Sequence, residues 1–367
     1  MSGIIFLQPG YAHYRDKLFS LLAKRHDLTY IYISSRNVYP GDVDPGKIPH
    51  IFLDERKLPI PIEIIILLIK RRPKIVITSI SSSLQTIIAY VYAVLFRKKL
   101  ILWIEEWRKP DLNGSSIKNA LRLLRFSIGK RIILGSDVII ASGIASHKHA
   151  LSLGKNDQNI FVTTQCSDDI AHRDTKINEH RKDKITFLYM SRIIDWKGLD
   201  VLLKAYAELE KYKDNVYLLI AGDGPFRSYC EKLASTLKIN SIEFIGNVDP
   251  TEVGDIYRKA DIFVLPSCFR SNSYEHWGLV INEAMSMKLP IITTTAVGSS
   301  YDMVENNKNG IVVKAGSESE LYTAMNTILE SDLKKMGDYS RAIFEKNNNY
   351  NEMESVFTEA IKYVDNI

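Results

Sequence analysis

The chain has 367 residues, 46% of them apolar and 25% charged, with a net charge of +5. That length exceeds one ordinary core and fits two domains, and the composition is that of a soluble globular protein. Three widely spaced cysteines, Cys166, Cys230 and Cys268, form no CxxC pair, so neither a disulfide framework nor a zinc site is indicated and a reducing cytoplasm is the simplest compartment.

The first residues lead straight into the strand-like "GIIFLQPGY", so no secretory leader is expected. Residues 4–9 are predicted as a strand, and 14–26 as a helix with Leu18, Phe19, Leu21 and Leu22 at helical spacing. A strand follows at 28–34. The apolar runs 60–69 and 86–96 stop at "KRR" and "RKK". Both fall short of the roughly 20 residues a spanning helix needs, so they read as buried helices or strands. Residues 74–79 and 99–106 read as strands, with a helix between them. Residues 116–133 form a basic amphipathic helix, with Leu121, Leu124, Ile128 and Ile132 on one stripe beside Lys118, Arg122, Arg125, Lys130 and Arg131. Such a helix suits either an anionic membrane surface or ordinary packing with a wet face. A strand at 136–142, a helix ending at Gly154 and the strand "NIFVTTQ" complete the first half. His147 and His149 lie two apart on that helix and read as surface residues. The polar stretch 167–184 reads as a linker, with "SDD" (167–169) solvated.

The alternation then starts again. Strands are predicted at 185–192, 216–221, "IEFIGNV", "DIFVLPS", "LPIITT" and "GIVVKA", with helices between them. From Asp332 the chain reads as helical with a kink near "NNNYN". Strand–helix alternation in both halves predicts an α/β protein of two Rossmann-like, doubly wound parallel-sheet domains facing a cleft. The expected boundaries are 1–170, a linker at 171–184, 185–345, and a C-terminal helix at 346–367 that packs back on the first domain. Charge divides unevenly: residues 1–170 carry 24 Lys+Arg and 14 Asp+Glu, and residues 171–367 carry 24 and 29. A basic first half suits an anionic neighbour such as a lipid headgroup surface or a phosphorylated substrate; a solvated surface accounts for it equally well.

Open α/β sheets bind ligands at the C-terminal ends of their strands. The segment "MSRIIDWKG" puts Arg192 and Lys197 there, five apart across a turn, which suits a polyphosphate or, more plainly, a surface pair. "AGDGP", with Gly222, is a turn that admits close backbone approach, but it is no dinucleotide fingerprint. In "EHWGLVINEA", Gly278 precedes a helix start whose free N–H groups favour an anion. Glu275 and Glu283, eight positions apart, are acceptors suited to paired hydroxyls; one capping acid and one solvated acid is the plainer alternative. On the first half, Glu105 and Glu106 in "WIEEWR" end a strand and could orient or deprotonate an acceptor hydroxyl. Gly10 and His13 lie on the first loop, where His13 could touch a sugar or a phosphate.

Taken in order, "YMSRIIDWKGLDVLLKAY", "LIAGDGP", "IEFIGNV", "DIFVLPS" and "EHWGLVINEAMSMKLPIITT" resemble the retaining glycosyltransferases of family four, which have the two-domain GT-B fold. The first half matches that family only loosely, through "YAHYRDKLFSLLAK" and "GSDVIIASG". The resemblance implies transfer of a sugar from a nucleoside-diphosphate sugar, UDP- or GDP-linked, to a glycan or lipid-linked acceptor in surface polysaccharide or glycoconjugate synthesis. It implies Arg192 and Lys197 on the donor diphosphate, Glu275 on the sugar hydroxyls and Glu283 on the ribose. Gly278 and Leu279 would offer backbone N–H groups, and Gly246 and Asn247 would border the base. It also implies no metal, no permanently bound cofactor, and retention by front-face attack in which the leaving phosphate helps deprotonate the acceptor. The enzyme would be cytoplasmic, with room for a peripheral position on the inner face of a membrane. His276 and Trp277 stand where many members have Gly and Phe, so a reshaped sugar pocket is expected. A nucleotide-sugar epimerase, a phosphorylase and a non-catalytic sugar-nucleotide binding protein are the competing readings.

Overall fold

In the computed structural model, residues 3–33, 48–53, 59–111, 116–172, 183–270 and 272–366 are described. Most of the expected linker, 173–182, lies outside the described residues. The chain divides into two compact units, residues 1–165 with 349–367, and residues 166–348.

In the first unit, β1 (Ile4–Gln8), α1 (Asp16–Arg25), β2 (Leu28–Tyr32), β3 (His50–Phe52), α2 (Ile60–Arg71), β4 (Ile75–Ser79), α3 (Leu84–Phe96), β5 (Lys99–Ile104), α4 (Ser116–Gly135), β6 (Val138–Ser142), α5 (Gly143–Leu153) and β7 (Ile160–Thr163) alternate as expected except for β3, which the sequence pattern does not predict. The seven strands are all parallel in the order β3-β2-β1-β4-β5-β6-β7. Strand alternation divides the core cleanly, because successive side chains point to opposite faces. Ile5, Leu7, Leu100, Leu102, Ile139 and Ala141 face one layer, formed by the inner sides of α2, α3, α4 and α5. Phe6, Tyr30 and Trp103 face the other, where Phe19 of α1 stacks on Tyr30 and lies tilted against Phe6, and Trp103 meets Phe6 edge-on.

The second unit contains β8 (Ile185–Met190), α6 (Leu199–Glu210), β9 (Val216–Ala221), α7 (Arg227–Thr236), β10 (Ile242–Gly246), α8 (Val253–Arg258), β11 (Ile262–Leu265), α9 (Leu279–Ser286), β12 (Ile291–Thr294), α10 (Ser300–Met303), β13 (Gly310–Val313), α11 (Glu318–Leu329) and α12 (Leu333–Asn347). Its six parallel strands run β10-β9-β8-β11-β12-β13. Both sheets therefore begin 3-2-1-4-5-6, so each has a switch point beside its first strand. One face of this sheet is covered by α6, α7 and α11, the other by α8, α9 and α12.

The C-terminal stretch is two helices, not one kinked helix. The α12 helix ends at Asn347 in the second unit, and the last helix, α13 (Tyr350–Asn366), belongs to the first. There Phe357 lies 5.3 Å from Trp103 and 6.0 Å from Phe6, and Tyr350 donates to the Tyr14 carbonyl at 3.0 Å.

Other expectations need correction. The runs 60–69 and 86–96 are helices buried on one side only. In α2, Ile64 and Leu68 face the core, while Ile62, Ile65, Ile66 and Ile69 stand exposed at spacings of three, four and seven. On α3, Val91, Val94, Leu95 and Phe96 are exposed. The predicted stripe of α4 splits: Ile132 is buried, while Leu121 and Leu124 are more than half exposed. The acid Asp169 is not simply solvated; it accepts both arms of Arg341, at 2.9 and 2.7 Å. His149 is not on the surface either. It is 7% exposed on the packed side of α5.

Burial lowers the pKa of His149 below 6.5, with Glu106 pulling upward and Lys109 downward. Burial lowers His26 likewise. Both groups favour the neutral form in the native state. Their contribution is therefore full above 6.5 and declines as pH falls from there toward the lowered native values. Urea midpoints measured on both sides of pH 6.5 should drop on the acid side, and His149→Gln should flatten that drop.

Candidate active site of the second unit

The residues singled out in the second half converge on the C-terminal edge of its sheet, at the switch between β8 and β11. After β8 the chain makes a short 3-10 turn, Asp195–Lys197, and enters α6 through Gly198 at φ 72°. The turn is pressed against the loop after β11: a Cβ on Gly198 would stand 2.0 Å from the Pro266 carbonyl oxygen. A fork reinforces the contact. Arg270 donates to both Asp200 oxygens at 2.9 Å and to the Asp195 carbonyl at 2.9 Å. These fixed loops hold Lys197, 6% exposed, with its Nζ donating to Glu275 and lying 4.9 Å over the Trp196 ring. Arg192, by contrast, is exposed and forms no ion pair among the described residues.

Glu275 is held through its backbone. Its N–H donates to the Ala296 carbonyl at 3.0 Å, and its carbonyl accepts from Gly298 at 2.9 Å. Gly278 takes φ 93° and opens α9, whose first two amides, of Leu279 and Val280, have no helical carbonyl a turn earlier to pair with. Glu283, one turn along, accepts from the buried Tyr257 hydroxyl at 2.9 Å. Burial and the neighbouring Glu283 carboxylate push the Tyr257 phenol pKa up, which keeps it a proton donor.

Gly222 follows β9 at φ 127°, and a Cβ there would meet the Ser191 carbonyl oxygen at 2.0 Å. Its role is therefore to let the turn "AGDGP" pack against the loop of Arg192. Gly246, whose carbonyl accepts from Gly222 at 2.7 Å, is buried at the end of β10, and Asn247 beside it is exposed. His276 is exposed, with its ring 4.7 Å from Tyr274. Trp277 does not shape a pocket. It is 3% exposed in the core, and its indole donates to Asn282 at 3.0 Å. Asn282 in turn donates to Asn348.

The remaining candidates lie on the first unit, at the strand ends of its own sheet. Glu105 receives Arg15 at 2.8 Å. Both oxygens of Glu106 accept backbone amides, from Ser81 at 2.7 Å and Glu105 at 3.2 Å, so Glu106 fixes the loop. Gly10 is buried and His13 exposed on the loop after β1. Sequence reasoning missed Tyr257, Asp200 and Arg270. Only the cation–acid pairing of the last two left a trace in composition, and nothing local joined positions seventy apart.

A cation pair, a helix N-terminus and two oriented carboxylates lie at a Rossmann-type switch point, the donors and acceptors that phosphate and hydroxyl groups call for. Residues 171–346 match the family model "Glycosyl transferases group 1". An uncharacterized glycosyltransferase of Methanocaldococcus jannaschii is 27% identical over 72% of this chain and 69% of its own length. A GDP-mannose-dependent phosphatidylinositol monomannoside mannosyltransferase of Mycobacterium tuberculosis is 29% identical over 40% of this chain, spanning 39% of that relative. Among solved structures, HepE of Anabaena in complex with UDP aligns over 99% of this chain and 100% of its own, with TM-score 0.75 at 15% identity. The fold is thus the GT-B type, and the part of the chain that resembles the glycosyl transferases group 1 lies in its second unit.

The contact at Gly198 can be tested against backbone strain alone. Gly316 has a similar φ of 78° but no atom within 4 Å of an added Cβ. Gly198→Ala should cost roughly 2–3 kcal/mol and Gly316→Ala about 1 kcal/mol, read as denaturant unfolding free energies.

Proposed function

We propose that the chain is a retaining glycosyltransferase that moves a sugar from a UDP- or GDP-sugar to a hydroxyl of a glycan or lipid-linked acceptor, in the synthesis of a surface polysaccharide or glycoconjugate. The observation that carries this reading is the buried Lys197–Glu275 pair at the switch point, beside the open start of α9. In this reading the second unit binds the nucleotide sugar and the first binds the acceptor. The nucleotide is supported by HepE, whose structure holds UDP, and by the Mycobacterium tuberculosis relative, named for GDP-mannose and a phosphatidylinositol acceptor.

The chemistry follows from where charge develops. Breaking the bond between the anomeric carbon and the phosphate oxygen loads the diphosphate with negative charge and the sugar with positive charge. Lys197, Arg192 and the α9 N-terminus stabilise the diphosphate without a metal. Lys197 donates to Glu275. Diphosphate oxygens competing for Nζ free the Glu275 carboxylate to accept from sugar hydroxyls, so the pair holds the site until donor arrives. Glu283, aimed by Tyr257, takes the ribose hydroxyls. The acceptor oxygen bonds the anomeric carbon on the face the phosphate leaves, and its proton passes to the departing phosphate oxygen. Glu105 is the better acceptor-side carboxylate, because Glu106 is committed to backbone amides.

Incubation with UDP- and GDP-sugars, read by nucleotide release and mass spectrometry of products, should identify one preferred donor. With that donor, Glu275→Ala and Lys197→Ala should each lower kcat by roughly a hundredfold or more. Tyr257→Phe should mainly raise the donor KM. A product that is an isomerised nucleotide sugar would point to the epimerase reading, and no response to any donor would reject the site.

A further inference from the structure

Among the described residues, the outer face of α2, α3 and α4 has no partner. Of the twenty-one large apolar residues exposed among the described residues, fourteen lie on these three helices, whereas the three in the second unit are all tyrosines. The distribution is therefore a property of one face, not of the protein's surface in general. The three helices lie side by side: α2 packs on α3, and a Cβ on Gly135 of α4 would meet the Tyr90 hydroxyl of α3. No described helix is long and apolar enough to cross a membrane.

Charge decides what can cover this face. The helices and their C-terminal flanks, residues 60–72, 84–99 and 116–135, carry eleven lysines and arginines and a single acid, Glu63. The helix dipole accounts for cations at the C-terminal ends, but not for Lys118, Arg122 and Arg125 in the first half of α4. Both α2 and α3 also end on an arginine in the left-handed region, Arg72 at φ 48° and Arg97 at φ 50°. Glycine is the low-cost residue for that position, so replacing either arginine with glycine removes charge without adding backbone strain. A cavity of about 300 Å³ opens between the C-terminal ends of α3 and α4, lined by Tyr90, Val94, Arg97, Lys98, Lys99 and Asp137. Lys99 is paired with Asp137 at 3.3 Å, while Arg97 and Lys98 form no ion pair among the described residues. Val94 belongs to the cavity wall and to the exposed apolar face at once.

We infer that this face docks the first unit onto an anionic phospholipid bilayer. The aliphatic side chains enter the interfacial layer, the surrounding cations meet the lipid phosphates, and the Arg97–Lys98 cavity receives one phosphodiester headgroup. A protein partner or a second copy would have to match an apolar face on helices that carry eleven cations and one acid. A bilayer of anionic lipids supplies both complements together.

The full chain should pellet with vesicles of equal parts phosphatidylcholine and phosphatidylglycerol, and at least tenfold less with phosphatidylcholine alone. The pair Arg72→Gly and Arg97→Gly removes charge while relieving backbone strain. It should weaken vesicle binding roughly tenfold or more without lowering the melting temperature. The pair Ile66→Asp and Leu95→Asp, both at exposed positions, should abolish salt-resistant binding. Thermal stabilisation by a nucleotide sugar should be unchanged in all variants, which separates this inference from the transferase reading. Equal pelleting with both vesicles, or binding indifferent to both variant pairs, would overturn it. So would a dimer in gel filtration that Ile66→Asp and Leu95→Asp convert to monomer, since the face would then be a contact between copies.

Discussion

A lysine and a glutamate buried against each other at the switch point of a parallel sheet set the terms for the second unit. The side chains of Lys197 and Glu275 are 8% and 14% exposed. Taking two charges out of water costs about as much as their attraction returns, so such a pair is a poor way to gain stability, and losing one member alone costs roughly 3–5 kcal/mol. The surrounding structure therefore has to hold both ends in place. It does so with backbone: the Gly198 turn lies against Pro266, Arg270 forks onto Asp200, and the Glu275 amide and carbonyl are tied to the loop after β12. On the function proposed above, the pair is worth this support because a donor diphosphate would displace the carboxylate from the ammonium.

Supporting residues form a second tier with the same logic. Tyr257 rises from α8 through the core to reach Glu283, and Trp277, Asn282 and Asn348 form a chain of buried polar contacts beneath the same helix. Each satisfies a group that would otherwise be stranded in an apolar layer. The helix α9 is thereby fixed in rotation, which fixes where its first amides and Glu283 point.

Strand–helix alternation was readable because parallel strands buried on both faces are continuous apolar runs, and the intervening helices keep a 3.6-residue period. The strand β3 escaped because His50–Phe52 is three half-buried residues with no alternation to read. The site was legible in part: Lys197, Glu275, Gly278 and Glu283 lie in two short segments whose spacing follows from a strand, a turn and a helix start. What those segments could not disclose was direction. Trp277 is adjacent to Gly278 yet turns into the core, because Asn282 offers its indole an acceptor there. Glu106 is adjacent to Glu105 yet is bound to the amide of Ser81. His149 looked like a surface residue because its neighbours are polar, and only the packing of α5 shows it buried.

The same limit explains the apolar helices of the first unit. A run such as "IPIEIIILLI" has too little polar contrast to show which side faces inward, so burial on all sides was the natural expectation. The sheet decides otherwise. Its strands present Ile5, Leu7, Leu100 and Leu102 to one layer of helices, and that layer needs only one side of each helix. The opposite face is closed by α1 and by α13, which returns from beyond the second unit to place Phe357 on Trp103. With both faces of the sheet covered, no further described element covers the outer sides of α2, α3 and α4. An isoleucine stripe facing water at helical spacing is costly in a chain that could have placed lysine or glutamate there, as it does on the outer faces of the second unit. The asymmetry between two units built on the same strand order thus lies in what each presents outward. One unit orients buried charges at its strand ends; the other presents apolar residues and cations along its helices.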